Sequence, residues 1–322
     1  MNGTTSTDPT LATPRPRFYR VGTIAGFVLA AVFLVAVWGK ALDPSAFAEQ
    51  IRLEKLDFLF SAPNVALIAL ALETALALAL LLGIRRLWVL IPAVLLCTFF
   101  LFLTGRAWYL TAHGLRTESA GCGCFGNLVQ RTPAEAFWQD VLLLVPPLAL
   151  AFLGRDRRGP TVPPLRTAAV ALGTAGVVLF AWKAPQLPLD DLATRLRPGV
   201  AMDEICADQS ANPLCLSTVA PDLTKGDHLV VIADLTDAAF RAAVPALNQA
   251  AGRTDGPGLW VLADATPEQV FNFRFAAGPT FRLVETPAAL LRPLYRSLPR
   301  AFRVQDGKVL ETWAGLPPLT HS

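Results

Sequence analysis

Five long apolar runs occupy the first half of the chain, and an alternating strand-and-helix pattern fills the last third. The runs fall at about 21–39, 63–83, 87–105, 138–154 and 167–184. Each approaches the roughly 20 residues an α-helix needs to cross the hydrocarbon core of a bilayer, so each predicts a transmembrane helix. The fourth carries Pro146-Pro147, which a membrane helix tolerates when neighbouring helices satisfy the freed carbonyls. Met1 to Arg20 is polar, rich in Thr and Pro, and predicts a disordered tail. A cleaved signal peptide fits less well. The first run exceeds the usual h-region of about 7–15 residues, and Trp38-Gly39-Lys40 lacks the small residues of a cleavage site.

After the fifth run, Pro185-Gln186-Leu187-Pro188 predicts an extended connection. Residues 189–227 show no clear period and are expected to be irregular. Then the pattern alternates. His228–Asp234, Gly258–Ala263 and Thr280–Val284 read as strands, and Asp237–Ala251, Pro267–Ala276 and Pro287–Arg296 as helices. Thr236 or Asp237 caps the first of these helices. Ala301–Val304 and Val309–Trp313 flank Asp306-Gly307, a strong hairpin signal. Such a succession predicts a mixed sheet with helices on its faces.

The composition agrees with a membrane domain joined to one water-soluble domain. Of the 322 residues, 53% are apolar and 16% charged, and the mean hydropathy is +0.45. A net charge of +3 is too small and dispersed for a nucleic-acid partner. Its distribution sets an orientation. Arg15, Arg17, Arg20, Arg85, Arg86, Arg155, Arg157, Arg158 and Arg166 fall densely on one side of the predicted spans. Lys40, Arg52, Lys55, Arg106, Arg116 and Arg131 are scattered over two longer loops on the other. The denser side is expected to be cytoplasmic. The N-terminus then lies in the cytoplasm, and the C-terminal domain lies outside a bacterial plasma membrane, where disulfides persist.

Two features carry candidate chemistry. Gly121-Cys122-Gly123-Cys124-Phe125-Gly126 lies in the loop between the third and fourth spans, on the expected outer side. Glycine lets a Cys-Gly-Cys unit close into a small disulfide ring far from relaxed geometry, which is easy to reduce. Cys122 and Cys124 are therefore candidate exchanging thiols, with His113, Arg116 and Arg131 in the same loop to favour a thiolate. A bridge that only staples the loop is the competing reading. Cys206 and Cys215 are expected to pair with each other or to exchange with Cys122 and Cys124; four cysteines allow three pairings. No zinc-type spacing links these cysteines to His113 or His228, and Cys97 reads as a buried apolar residue. The second feature is Glu73, a carboxylate within the second span, which needs a partner there. Lys40 and Arg106, near the outer ends of spans one and three, are the candidates. A helix-packing contact and a proton or quinone site are both open to this group.

Gly39-Lys40-x-Leu42-Asp43-Pro44, the intramembrane Glu73 and Cys122-Gly123-Cys124-Phe125-Gly126 before a span led by Trp138 recur in this order in a known family. Over about 20–155 the chain resembles the MauE branch of the DoxX-like membrane proteins. The resemblance implies a four-helix transmembrane domain of methylamine utilisation. It also implies a role in maturing the disulfide-rich small subunit of methylamine dehydrogenase, by assistance to thiol–disulfide chemistry in an exported client. Residues 228–318 resemble a thioredoxin-like domain, with Pro299 at that fold's cis-proline position. They depart from it after the first strand, where Leu235-Thr236-Asp237-Ala238-Ala239-Phe240 replaces Cys-x-x-Cys.

The expected order is thus a tail (1–20), a MauE/DoxX-like bundle (21–155), a cytoplasmic loop with a fifth transmembrane helix (156–185), an irregular cysteine-containing linker (186–227) and a thioredoxin-like domain (228–318). The leading expectation is a thiol–disulfide oxidoreductase or maturation factor that acts on an exported client with cysteines. A non-enzymatic assembly factor with structural cysteines and a DoxX-like quinone-linked subunit built around Glu73 are the alternatives. No cofactor motif is evident; a quinone is the electron acceptor the first reading calls for.

Overall fold

A computed structural model describes residues 18–115, 131–156, 162–207, 213–253 and 256–318. Five helices among them are long and apolar enough to cross a membrane: α1 (Tyr19–Leu42), α3 (Ala62–Leu81), α4 (Leu87–Ala112), α5 (Pro133–Leu153) and α6 (Pro164–Lys183). A short helix, α2 (Pro44–Leu53), links α1 to α3. Four of the five spans are longer than the apolar runs alone suggest; α3 matches its run in length to within a residue. At α4, Gly105 to Ala112 continue the helix because Trp108 stacks on Phe137 of α5, at 5.3 Å between ring centres. The start of α5 moves back to Pro133 because Thr132 and Glu135 form a reciprocal capping box. Pro146 and Pro147 lie inside that helix without ending it.

Helix α1 is the centre of the bundle, packed on α3 and α5; α4 packs on α5, and α6 on the outside of α3. Leu29, Phe33, Leu80, Leu90, Ala93, Cys97 and Leu144 are buried in the shared core. At one end of the bundle, Arg85 fastens three elements. Its Nη1 donates to Tyr19 O (3.1 Å) and Gly154 O (3.0 Å), and Asp156 lies 3.6 Å from Nη2. Backbones meet here so closely that a Cβ on Gly22 would stand 2.7 Å from the Gly154 Cα. The opposite end, called the domain end below, carries α2, the C-terminus of α4, the N-terminus of α5 and the exit of α6 into the C-terminal domain.

Two small helices, α7 (Asp190–Ala193) and α8 (Leu216–Val219), lead into a five-stranded sheet. The strands are β1 (Asp227–Ile232), β2 (Gly258–Ala263), β3 (Arg282–Glu285), β4 (Arg300–Gln305) and β5 (Lys308–Trp313), and they stand in the order β3-β2-β1-β4-β5. β1, β2 and β3 are parallel; β4 runs antiparallel to β1, and β5 runs antiparallel to β4, in the direction of the first three. α9 (Ala238–Ala251) and α10 (Pro267–Ala277) make the crossovers, and the short α11 (Ala288–Leu291) follows β3. The expected helix over 287–296 is cut short because Pro293 lacks the N–H to continue it. Asp306 (φ 46°) and Gly307 (φ 78°) turn the final hairpin, as the primed two-residue turns require. The Leu298–Pro299 peptide is cis, one residue before β4. This C-terminal mixed sheet resembles thioredoxin-like folds.

Alternation along β1 sends its residues to two cores. Val231 joins Phe240, Val244 and Leu247 of α9 and Phe273 of α10 on one face. Val230 and Ile232 join Leu196, Met202, Ile205, Leu216 and Leu223 on the other. The described residues of 190–224, which show no period in the sequence, therefore cover much of one face of the sheet with widely spaced apolar side chains, beside Leu290, Leu291 and Leu294.

Candidate functional site

Lys40 lies in the last turn of α1 and Glu73 midway along α3. The antiparallel packing of these helices brings Lys40 Nζ to 2.5 Å from Glu73 Oε1, with both side chains almost wholly buried. Asp43 then turns the chain. Its Oδ1 accepts from Ala46 N (3.0 Å) and caps α2, whose first residue is Pro44. The turn folds α2 back so that Phe47 faces the Lys40 ammonium (4.9 Å to the ring centre), while Phe100 of α4 faces it at 4.7 Å. Two aromatic faces and one carboxylate thus surround the cation in an otherwise apolar bundle. Glu73 Oε2 has no hydrogen-bond partner among the described residues.

Arg106, the other expected partner of Glu73, is not part of this pair. It is half-exposed at the domain end, where Nη1 donates to Glu54 Oε2 at 2.6 Å. The extension of α4 beyond residue 105 places it beside Glu54, at the end of α2 and away from the buried pair. The flanks of the segment 116–130 are well anchored. On the α4 side, His113 Nδ1 lies 2.8 Å from Tyr109 O. On the α5 side, Arg131 donates to Gln139 (3.0 Å) and lies 3.7 Å from the buried Asp140. Arg116, Cys122 and Cys124 themselves lie outside the described residues.

Cys206 and Cys215 form a disulfide. Backbone bonds from Ala207 N to Leu214 O and from Leu216 N to Ile205 O, both 2.8 Å, bracket it like the rungs of a hairpin. Its neighbours Ile205 and Leu216 are buried against the sheet, so the bridge fastens the covering segment to the core.

At the C-terminal end of β1, where a thioredoxin carries its dithiol, carboxylates take the turn. Asp234 Oδ1 accepts from Thr236 N (2.8 Å) and Thr236 Oγ1 (2.7 Å), and Asp237 caps α9 through Ala239 N (3.0 Å). Both helix-start donors are satisfied without sulfur. Tyr295, in the loop before Pro299, has its phenol pushed above the usual range by burial, which outweighs the pull of Arg292.

The same loop holds arginines that the sequence does not announce as functional, although Arg292, Arg296 and Arg300 recur every fourth residue around Pro299. Arg300 is fully buried; Nη1 lies 2.9 Å from Asp190 Oδ1, and Nη2 donates to Asp191 Oδ1 (3.0 Å) and Leu196 O (3.2 Å). Arg296 Nη2 donates to Ala184 O (2.6 Å) and Nη1 to Leu187 O (3.1 Å). Arg296 and Arg292 lie close enough to the bundle for their charges to act on Asp43. Burial pushes the Asp43 carboxyl above the usual carboxylate range, against the opposing effects of the Ala46 N–H, Arg296 and Arg292.

Comparison with known proteins gives each half a relative. Residues 19–154 match the family model described as Methylamine utilisation protein MauE. Nine solved chains match. One, assigned as a thiol:disulfide interchange protein DsbE from Chlorobium tepidum, is 19% identical; the match covers 38% of this chain and 89% of that one, with a TM-score of 0.31. Another, a thiol:disulfide interchange protein of the thioredoxin family from Chlorobium tepidum TLS, is 15% identical and covers 39% and 90%, with a TM-score of 0.29. No curated protein matches the chain.

Proposed function

We infer that this chain, which carries a MauE domain at residues 19–154 followed by a thioredoxin-like region, is a multi-pass membrane factor that assists thiol–disulfide chemistry in the maturation of exported proteins. The observation that carries the reading is the pairing of Cys206 with Cys215. A disulfide there supports a C-terminal domain that works in an oxidising compartment. It also leaves Cys122 and Cys124 as the two remaining cysteines of that compartment, since the bundle alternates direction and returns both loop flanks to the domain end. A disulfide-rich client of the methylamine dehydrogenase type is the one the resemblance over about 20–155 implies.

In this reading a client thiolate attacks one sulfur of a Cys122–Cys124 disulfide, and the other sulfur leaves as a thiolate. The second client thiolate then attacks the client sulfur of the mixed disulfide. The client ends oxidised by two electrons, and Cys122 and Cys124 end as thiols after taking up the two protons. A membrane-soluble quinone is the class of acceptor that would restore the disulfide. The Lys40–Glu73 pair is closed to such a molecule as it stands, because both side chains are buried and engaged, and the pair fits helix fastening better.

The test is to trap the intermediate. With Cys124→Ala the exchange runs only in reverse and stops halfway: the Cys122 thiolate attacks the disulfide of an oxidised client, one client sulfur leaves as a thiolate, no Cys124 thiolate is left to resolve the bond, and a mixed disulfide with an exported protein is expected to accumulate on non-reducing gels. Its absence with both Cys124→Ala and Cys122→Ala, while the protein remains abundant, supports the second reading. In that reading the chain acts by contact as an assembly factor, as the carboxylates at the start of α9 favour.

A further inference from the structure

We propose that the C-terminal domain docks reversibly on the Asp43 corner of its own membrane bundle, with Arg296 as the residue that holds it there. The strand-end surface around cis-Pro299 then faces this chain's own bundle when docked and is presented outward when released. The inference stands apart from the thiol chemistry above.

The seam has an attractive side and an opposing side. On the attractive side, Arg296 is nearly buried (6% exposed side chain), and it reaches the Ala184 and Leu187 carbonyls just beyond the end of α6. Each carbonyl also accepts a backbone N–H, Ala184 O from Leu187 N (3.1 Å) and Leu187 O from Leu189 N (2.8 Å), and offers its second lone pair to the guanidinium. A guanidinium fork fits them better than an ammonium does. Arg300 anchors the same loop to Asp190 and Asp191 of α7, and α7 touches α1. On the opposing side is Asp43, 6% exposed. Its Oδ1 caps α2, but its Oδ2 is buried with no hydrogen-bond partner among the described residues. An unsatisfied buried carboxylate oxygen is costly, and the cost vanishes when water reaches it. The charges that act on Asp43 from the domain side are Arg296, Arg292 and Asp190. A small polar seam with one strong clamp and one strained carboxylate is the kind that opens and closes.

The two sides respond to substitution in opposite directions. Asparagine keeps the cap on α2 while removing the buried charge. Hydrogen exchange of the full chain in lipid nanodiscs reads the seam at residues 184–193 and 292–296 and at the first turn of α2. Arg296→Ala is expected to speed exchange there about tenfold, the size of one lost charged hydrogen bond, with β1 unchanged. Asp43→Asn is expected to slow it. The docked state holds the proton on Asp43 more tightly than the released state, so docking weakens as pH rises through the raised docked-state pKa. Asp43→Asn compared with the unsubstituted protein at each pH isolates that dependence. Equal exchange at the seam in Arg296→Ala and the unsubstituted protein overturns the proposal. If Arg296→Ala also loosens β1, Asp43→Asn decides: slower exchange supports the proposal, and unchanged or faster exchange overturns it.

Discussion

Lys40→Ala and Glu73→Ala each destabilise the bundle by about 3–5 kcal/mol, the usual cost of leaving one partner of a buried ion pair without the other. The pair joins α1 to α3 where almost no water reaches either side chain. Removing Glu73 leaves an ammonium with only the Phe47 and Phe100 faces. Removing Lys40 leaves a bare carboxylate between apolar helices. The double substitution Lys40→Met with Glu73→Leu removes both charges and keeps the volume, so it recovers most of the loss. Denaturation of the purified protein in detergent measures all three variants. Equal losses for the double and the single variants would mean that packing volume, not charge pairing, holds this contact.

Cys122→Ser abolishes disulfide formation in the client while the protein stays at its normal abundance in the membrane. Serine has no sulfur to exchange. Client oxidation followed on non-reducing gels, beside immunoblots of the membrane fraction, separates the two quantities. Parallel loss of activity and abundance would place Cys122 in a structural staple instead.

Much of this architecture is legible in the sequence because its signals are local. Apolar runs of sufficient length announce the five spans, and the Asp306-Gly307 turn announces the final hairpin. Pro299 announces the cis-proline loop through the thioredoxin-like resemblance. Glu73 announces a buried polar site by its cost alone, and Lys40 follows as a partner because it ends the neighbouring span. Arg106 is legible only as a charge near the same level. Its true partner, Glu54, depends on where α2 ends and on how far α4 extends past its apolar run. The segment 190–224 is illegible for a related reason. Leu196, Met202, Ile205 and Leu216 are spaced by turns and short helices, and no single period betrays that they help cover one face of the sheet. The charges of Arg296 and Asp43 act on each other although the two are far apart in sequence, and such a coupling leaves no mark on either local sequence.

The most direct measurement is the reduction potential of the Cys122–Cys124 pair in intact membranes, read by mass-tagged maleimide trapping across glutathione and dithiothreitol buffers. Cys206 and Cys215 serve as the internal reference for a structural bridge. The exchange account predicts reduction of Cys122–Cys124 at about −120 to −200 mV, the range of thiol exchangers, well before Cys206–Cys215 opens. A Cys122–Cys124 bridge that persists below about −300 mV, as structural bridges do, would contradict it.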